Sequence, residues 1–273
     1  EAAATAAGLD FQAYAGEKDG DAAPQITAIE NCVAAGAKGI LITPSNDSVG
    51  PALKDARAAG ILVISLDTPL GDAEAQDITF ATDNFEAGLL IGKWAAATLG
   101  ADGVANAKIA MLDINKDNIS VDVLRDTGFL TGFGIEVPDG KVLASETDPR
   151  VVGHESSDAN PAGGQTAMET LLAKDPDINV VYTINEPAAE GAYQALKAAG
   201  KTGKVQVVGY DNTGAIKPML ADGRVLATAD QYAAKQAVFG IELAQKALAA
   251  KTPQNQLPAT VKTDVVLVTK DSK

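Results

Sequence analysis

The chain has 273 residues, 46% hydrophobic and 21% charged, more than one typical core supports, so two α/β domains are the natural reading. Its 22 Lys and Arg stand against 36 Asp and Glu, a formal charge of −14, and such a surface repels nucleic acid and anionic lipid. No uninterrupted apolar run is long enough for a bilayer span, and the single cysteine, Cys32, excludes an internal disulfide without choosing between cytosol and periplasm.

The opening segment, Glu1 to Gly8, reads as the tail of a helix closed by a glycine cap. A parallel sheet has a strand before its first helix, so a strand and half a helix are expected upstream of Glu1 in the intact protein. Strand-like runs follow at Leu9–Ala15, Gly39–Thr43, Ile61–Asp67 and Ile78–Asp83. Ala-rich helical patterns lie between them at Asp21–Ala35, Asp47–Ala59 and Phe85–Leu99. The first of these holds Cys32 among Ile26, Ile29 and Val33, as a small buried apolar residue. Strand and helix in alternation, with short Gly-bearing turns, predict a parallel sheet built from right-handed crossovers.

A break falls at Gly100-Ala101-Asp102-Gly103, and the rhythm restarts. Strands are predicted at Lys108–Ile114, Lys141–Ser145, Asn179–Asn185, Val205–Asp211, Val225–Asp230 and Asp264–Thr269. Helices are predicted at Val121–Phe133, Gly163–Lys174, Ala188–Ala199, Ala215–Asp222 and Ala233–Ala250, the last ending before Pro253. The fold class is α/β, two doubly wound parallel-sheet lobes. Two such lobes make a cleft the default ligand site, beyond the carboxyl ends of the strands.

Four strands close on polar side chains: Asp67 after Ile64-Ser65-Leu66, Asn185 after Thr183-Ile184, Asp211 after Gly209-Tyr210, and Gln231 after Ala229-Asp230. Each can be read as a helix N-cap, which favours Asp and Asn. The four together suggest a binding surface for a neutral polyol. Carboxylates accept from neighbouring hydroxyls, amides donate and accept, and arginine donates in a fixed fork. Of Arg57, Arg125, Arg150 and Arg224, the one best placed is Arg125, in the helix following the strand Lys108–Ile114. Asp83 and Asn84 fit the cap reading better.

At these residues the chain resembles the type I periplasmic sugar-binding proteins, the ribose-, galactose- and fructose-binding group of ABC importers. The resemblance rests on Gly39 to Pro44, Val63 to Pro69, Ala81 to Asn84, Arg125 to Phe129, Asn185 to Ala192, Val208 to Asp211 and Ala227 to Gln231. Around Asp67 and Trp94 it is most similar to the fructose-binding branch. It implies sugar contacts from Asp67, Arg125, Asn185, Asp211 and Gln231, with Thr43, Thr68 and Asn160 also at the site. Thr43 stands where ribose binders carry Asn, Thr68 where they carry Arg, and Ala159, beside Asn160, where they carry Phe; ribose itself is therefore in doubt. The resemblance further implies a hinge near Gly103, Gln231 and Val261, dividing residues 1–103 with 232–261 from 104–231 with 262–273. Closure over a monosaccharide or sugar alcohol would present the closed form to a membrane permease. The implied protein is a monomer without cofactor or catalysis, periplasmic or a membrane-anchored lipoprotein, its signal peptide removed. The alternative is the effector-binding lobes of a sugar-responsive repressor.

Other motifs carry less. Gly200-Lys201-Thr202 follows a helix and precedes a strand, the reverse of a phosphate loop, and its first required glycine is replaced by Ala195. His154, the only histidine, has no second histidine for a zinc motif and reads as an ordinary surface residue. Trp94, with Leu90 and Ile91, reads as packing. A glycosidase needs two carboxylates, but Asp67 and Asp211 fall on different lobes.

Overall fold

The computed structural model describes residues 2–16, 21–252 and 256–272. The chain forms two compact units, Glu1–Thr82 with Tyr232–Thr263, and Asp83–Gln231 with Asp264–Lys273. It passes from one to the other at Thr82/Asp83, Gln231/Tyr232 and Thr263/Asp264. The first passage lies well before the expected Gly103.

In the first unit, helix α1 (Ala2–Ala6) ends at Gly8, whose φ of 67° makes the left-handed cap. Strands β1 (Gly39–Ile42), β2 (Leu62–Leu66), β3 (Ile78–Thr82) and β9 (Thr260–Thr263) form one parallel sheet in the order β1-β2-β3-β9. Helix α2 (Ala23–Ala34) and helix α3 (Gly50–Ala58) each begin at a proline in the first turn, where the missing N–H costs nothing. Ile29, Leu53, Ala56, Ile61 and Val63 fill the core beneath them, with half-buried Cys32 against it. Helix α9 (Ala233–Ala250) spans the predicted range and packs with Ile64, Ile78 and Phe80 through Ala244 and Ala247. Pro253, expected to stop it, lies outside the described residues.

The expected strand Leu9–Ala15 is irregular chain. Leu9, Phe11 and Tyr14 are exposed, and no strand among the described residues pairs with this run, so it has no ladder to complete. Conversely, β9 was read only as a hinge segment; of its residues Thr-Val-Lys-Thr at the sheet edge, Thr260 and Lys262 are exposed and only Thr263 is buried, and polar side chains are normal on such an edge.

In the second unit the sheet order is β10-β8-β7-β6-β4-β5, comprising β4 (Ile109–Asp113), β5 (Val151–Ser156), β6 (Val180–Thr183), β7 (Gln206–Val208), β8 (Ala227–Asp230) and β10 (Val266–Thr269). All neighbours are parallel except β10, which runs antiparallel to β8. The expected strand Lys141–Ser145 is turn; the edge strand is β5, six residues further on. Helices α4 (Asn84–Ala105) and α5 (Ser120–Phe133) cover one face, with Met111, Phe129, Tyr182 and Tyr210 between. Helices α6 (Pro161–Lys174), α7 (Glu186–Ala198) and α8 (Ile216–Ala221) bury Leu112, Met168, Val181 and Leu196 in a second core.

Glycines explain why α4 belongs to this unit. A Cβ on Gly88 would lie 2.1 Å from the carbonyl oxygen of Arg125, and one on Gly92 2.1 Å from that of Phe129. From the other side, Gly128 and Gly132 would collide with the carbonyls of Phe85 and Leu89, at 2.2 and 2.3 Å. Two four-residue glycine spacings thus let α4 and α5 meet backbone to backbone. The break read at Gly100 is real, with φ 69° interrupting α4, but it is a kink inside the second unit and not a passage between units.

Candidate functional site

In the first unit β2 ends on Asp67, held at φ 65° by its N–H donating to the Phe80 carbonyl (2.7 Å). Aspartate is among the few residues that tolerate that region. Thr68 Oγ1 donates to Asp67 Oδ2 (3.3 Å), while Asp67 Oδ1 is buried and meets no donor among the described residues. A buried carboxylate oxygen without a donor is costly unless something else supplies one. Thr43 is exposed just beyond β1, its carbonyl accepting from Gln25 Nε2 (2.8 Å).

In the second unit the polar strand ends group at the carboxyl ends of β6, β7 and β8. Arg125 is 5% exposed. Its Nε donates to Asn84 Oδ1 (2.9 Å), its Nη1 to the Ile184 carbonyl (3.2 Å), and the guanidinium lies 3.7 Å from the centre of the Tyr210 ring. Tyr210 Oη donates to the same Asn84 oxygen (3.0 Å). Beside Tyr210, Asp211 sits at φ 76° and accepts from Gln231 Nε2 through Oδ1 (2.5 Å), while Thr228 Oγ1 donates to its carbonyl (2.6 Å).

Two predicted residues act as caps. Asn185 Oδ1 accepts from Ala188 N–H (3.1 Å) at the start of α7, its Nδ2 donating to the Ala159 carbonyl (3.5 Å). Asn160 Oδ1 accepts from Gly163 N–H (2.9 Å) at the start of α6. Asp83 caps α4 through Glu86 N–H (3.3 Å), as expected, but Asn84 does not cap; it is the buried anchor for Arg125 and Tyr210. Its only sequence signal was that Asp83 already fills the cap position. Glu186, first residue of α7, is raised above the usual carboxylate range by burial, offset by a Thr213 hydrogen bond and reinforced by the Asp211 charge.

His154 is not a surface residue. It lies on β5 with its side chain 10% exposed. Nδ1 is 3.0 Å from both oxygens of Asp113 and 3.7 Å from Asp126 Oδ2, and Nε2 is 3.0 Å from Glu146 Oε1. Burial lowers its pKa, but the hydrogen bonds to Asp113 and Glu146 prevail and raise it to about 9. Burial and the Asp113 charge push Asp122 up to about 7 and hold Asp126 well above the usual range.

Comparison with known proteins identifies the architecture. Residues 1–252 match the periplasmic binding protein domain. The D-ribose/D-allose-binding protein of Pseudomonas aeruginosa is 34% identical over 91% of this chain and 75% of that protein. An ABC transporter periplasmic solute binding protein from Actinobacillus succinogenes with bound D-allose superposes with a TM-score of 0.84, 26% identity, and coverage of 99% of this chain and 90% of the other. A solute binding protein from Agrobacterium vitis with bound D-fucose gives 0.80 at 27% identity, covering 98% and 88%.

Proposed function

Because the chain belongs to the periplasmic binding protein domain family, we propose that it is the extracytoplasmic sugar receptor of an ABC importer. It takes a monosaccharide or sugar alcohol and delivers it to a membrane permease. The observation that carries this reading is Arg125, a cation pinned by Asn84, Ile184 and the Tyr210 face at the strand ends that also carry Asp211 and Gln231. A guanidinium so held offers directed donors to hydroxyls with little ordering cost. The sugar contacts are Asp67, Thr68 and Thr43 of the first unit and Arg125, Asn185, Asp211, Gln231 and Asn160 of the second. The two asparagines contribute whatever donor capacity their caps leave.

A D-ribose/D-allose-binding protein and an ABC transporter periplasmic solute binding protein among the relatives favour import over repression and binding over turnover. Among the described residues no helix is long and apolar enough to cross a membrane. The receptor acts as a monomer in the periplasm or as an anchored lipoprotein. The sugars bound by its relatives put allose, ribose and fucose at the head of the panel, with fructose, xylose, glucose, galactose and xylitol behind them; Thr43, Thr68 and Ala159 favour a sugar other than ribose.

Thermal shift followed by calorimetry tests this. A ligand at about a hundred times its Kd stabilises by about 2.7 kcal/mol, several degrees in Tm for a chain of this size. One saturable sugar, recovered chemically unchanged, establishes the receptor. Silence across the panel rejects these sugars and points to a phosphorylated, modified or non-sugar ligand.

A further inference from the structure

We propose that Asp113, Asp126 and His154 form a binding site for a first-row divalent transition metal inside the second unit, apart from the sugar contacts. The sheet register assembles it. β4 and β5 pair with Met111 opposite His154 and Asp113 opposite Ser156, so Asp113 and His154 share the face that α5 covers. From α5, Asp126 reaches the same point. One donor atom from each of the three lies within 4.8 Å of the others, with His154 Nδ1 at 3.0 Å from Asp113 and 3.7 Å from Asp126. An ion about 2.0–2.2 Å from each donor sets neighbouring donors roughly 3–4 Å apart.

Two further observations point to a ligand. Asp126 is 3% exposed, and no N–H or hydroxyl donor among the described residues reaches hydrogen-bond distance of its buried oxygens; its neighbours there are the Asp113 carboxyl group and His154 Nδ1 at 3.7 Å. Tyr182 Oη, on the neighbouring strand opposite Met111, is fully buried and likewise unpartnered among the described residues. Native proteins rarely leave such groups unsatisfied. Glu146 meets Nε2 at 3.0 Å, fixing the imidazole with Nδ1 toward the two aspartates, the outer carboxylate that metal-bound histidines commonly have. Two carboxylates and a neutral imidazole balance a dication, and mixed nitrogen and oxygen donors suit Zn²⁺ or Mn²⁺.

The test uses the 273-residue chain, tag-free and chelator-treated, within which His154 is the sole histidine and Cys32 the sole thiol. Zn²⁺ and Mn²⁺ are titrated separately against a chromophoric competitor. Saturation at one ion per chain is expected, with a rise in Tm. Asp126→Asn and His154→Gln should abolish it, and Glu146→Gln should weaken it about 10–100-fold. X-ray absorption on the loaded wild type keeps the answer independent of variant folding: imidazole scattering can come only from His154. Absence of stoichiometric binding, a sulfur shell from Cys32, or binding unchanged in His154→Gln would overturn the proposal. The first of these would leave a proton-sharing histidine–carboxylate cluster.

Discussion

The guanidinium of Arg125 lies 3.7 Å from the centre of the Tyr210 ring, and both side chains donate to one oxygen, Asn84 Oδ1. Tyr210→Phe keeps the ring and removes one donor, so it should cost about 1 kcal/mol in stability and leave sugar affinity within tenfold. Arg125→Lys removes the fork itself. A charge-assisted hydrogen bond is worth roughly 1.5–3 kcal/mol, so Kd should rise about ten- to hundredfold. Urea denaturation and calorimetry separate the two effects.

Asp211 tests the second polar strand end. At φ 76° an alanine would add backbone strain to the loss of the carboxylate. Asp211→Asn keeps a residue suited to the left-handed region while halving the acceptor capacity offered to sugar hydroxyls. The fold should survive, with Tm moved by only a few degrees, and Kd should rise at least about tenfold, one charged hydrogen bond. Unchanged affinity would return Asp211 to a purely structural partner of Gln231.

The polar strand ends were legible because parallel strands announce their carboxyl ends: an apolar run stopping at a polar residue marks the end of a buried strand. The helices were legible through period and caps, α9 to the residue. Edges were not. β5 is half-buried throughout and β9 buries only Thr263, so their sequences carry little apolar signal, whereas Leu9–Ala15 carries the signal but pairs with no strand among the described residues. His154 was misread because its partners arrive from Asp113, 41 residues earlier, and Asp126 through strand register and helix packing. No local spacing encodes that juxtaposition.

Asp77 anchors the first unit. Its side chain is fully buried, Oδ1 accepting from Arg57 Nε (2.8 Å) and Nη2 (2.7 Å) and Oδ2 from Val63 N–H (2.7 Å). Removing one partner of a buried pair typically costs about 3–5 kcal/mol. Because Arg57 is 22% exposed and can partly rehydrate, Asp77→Ala should cost about 3 kcal/mol by urea unfolding. Arg57→Met should cost at least as much, since it leaves the fully buried Asp77 carboxylate without its cation.

Asp148 supplies a pH test. The Arg150 hydrogen bonds, against a small cost of burial, hold its carboxyl below the usual range. A depressed carboxylate contributes stability that is full above its unfolded value, about 3.9, and is lost as pH falls through the lower folded value. The stability difference between wild type and Asp148→Asn should therefore be flat near neutrality and shrink toward zero below about pH 4. With both partners partly exposed, it should not exceed about 1 kcal/mol.

Gly88 links packing to binding. A Cβ there would stand 2.1 Å from the Arg125 carbonyl and 2.8 Å from Phe129 N, both backbone atoms that no rotamer change can move aside. Gly88→Ala must push α5 away from α4, and overpacking of this kind costs about 1–3 kcal/mol. The displaced helix carries Arg125 with it, while Asn84, the acceptor for Arg125, stays on α4. Stability and sugar affinity should consequently fall together, though Gly88 itself offers a ligand nothing. Gly214→Ala, where a Cβ meets nothing within 4 Å, should leave stability within about 0.5 kcal/mol and affinity unchanged. If Gly88→Ala lowers Tm but spares affinity, Arg125 is held by its own hydrogen bonds and not by the depth of the helix contact.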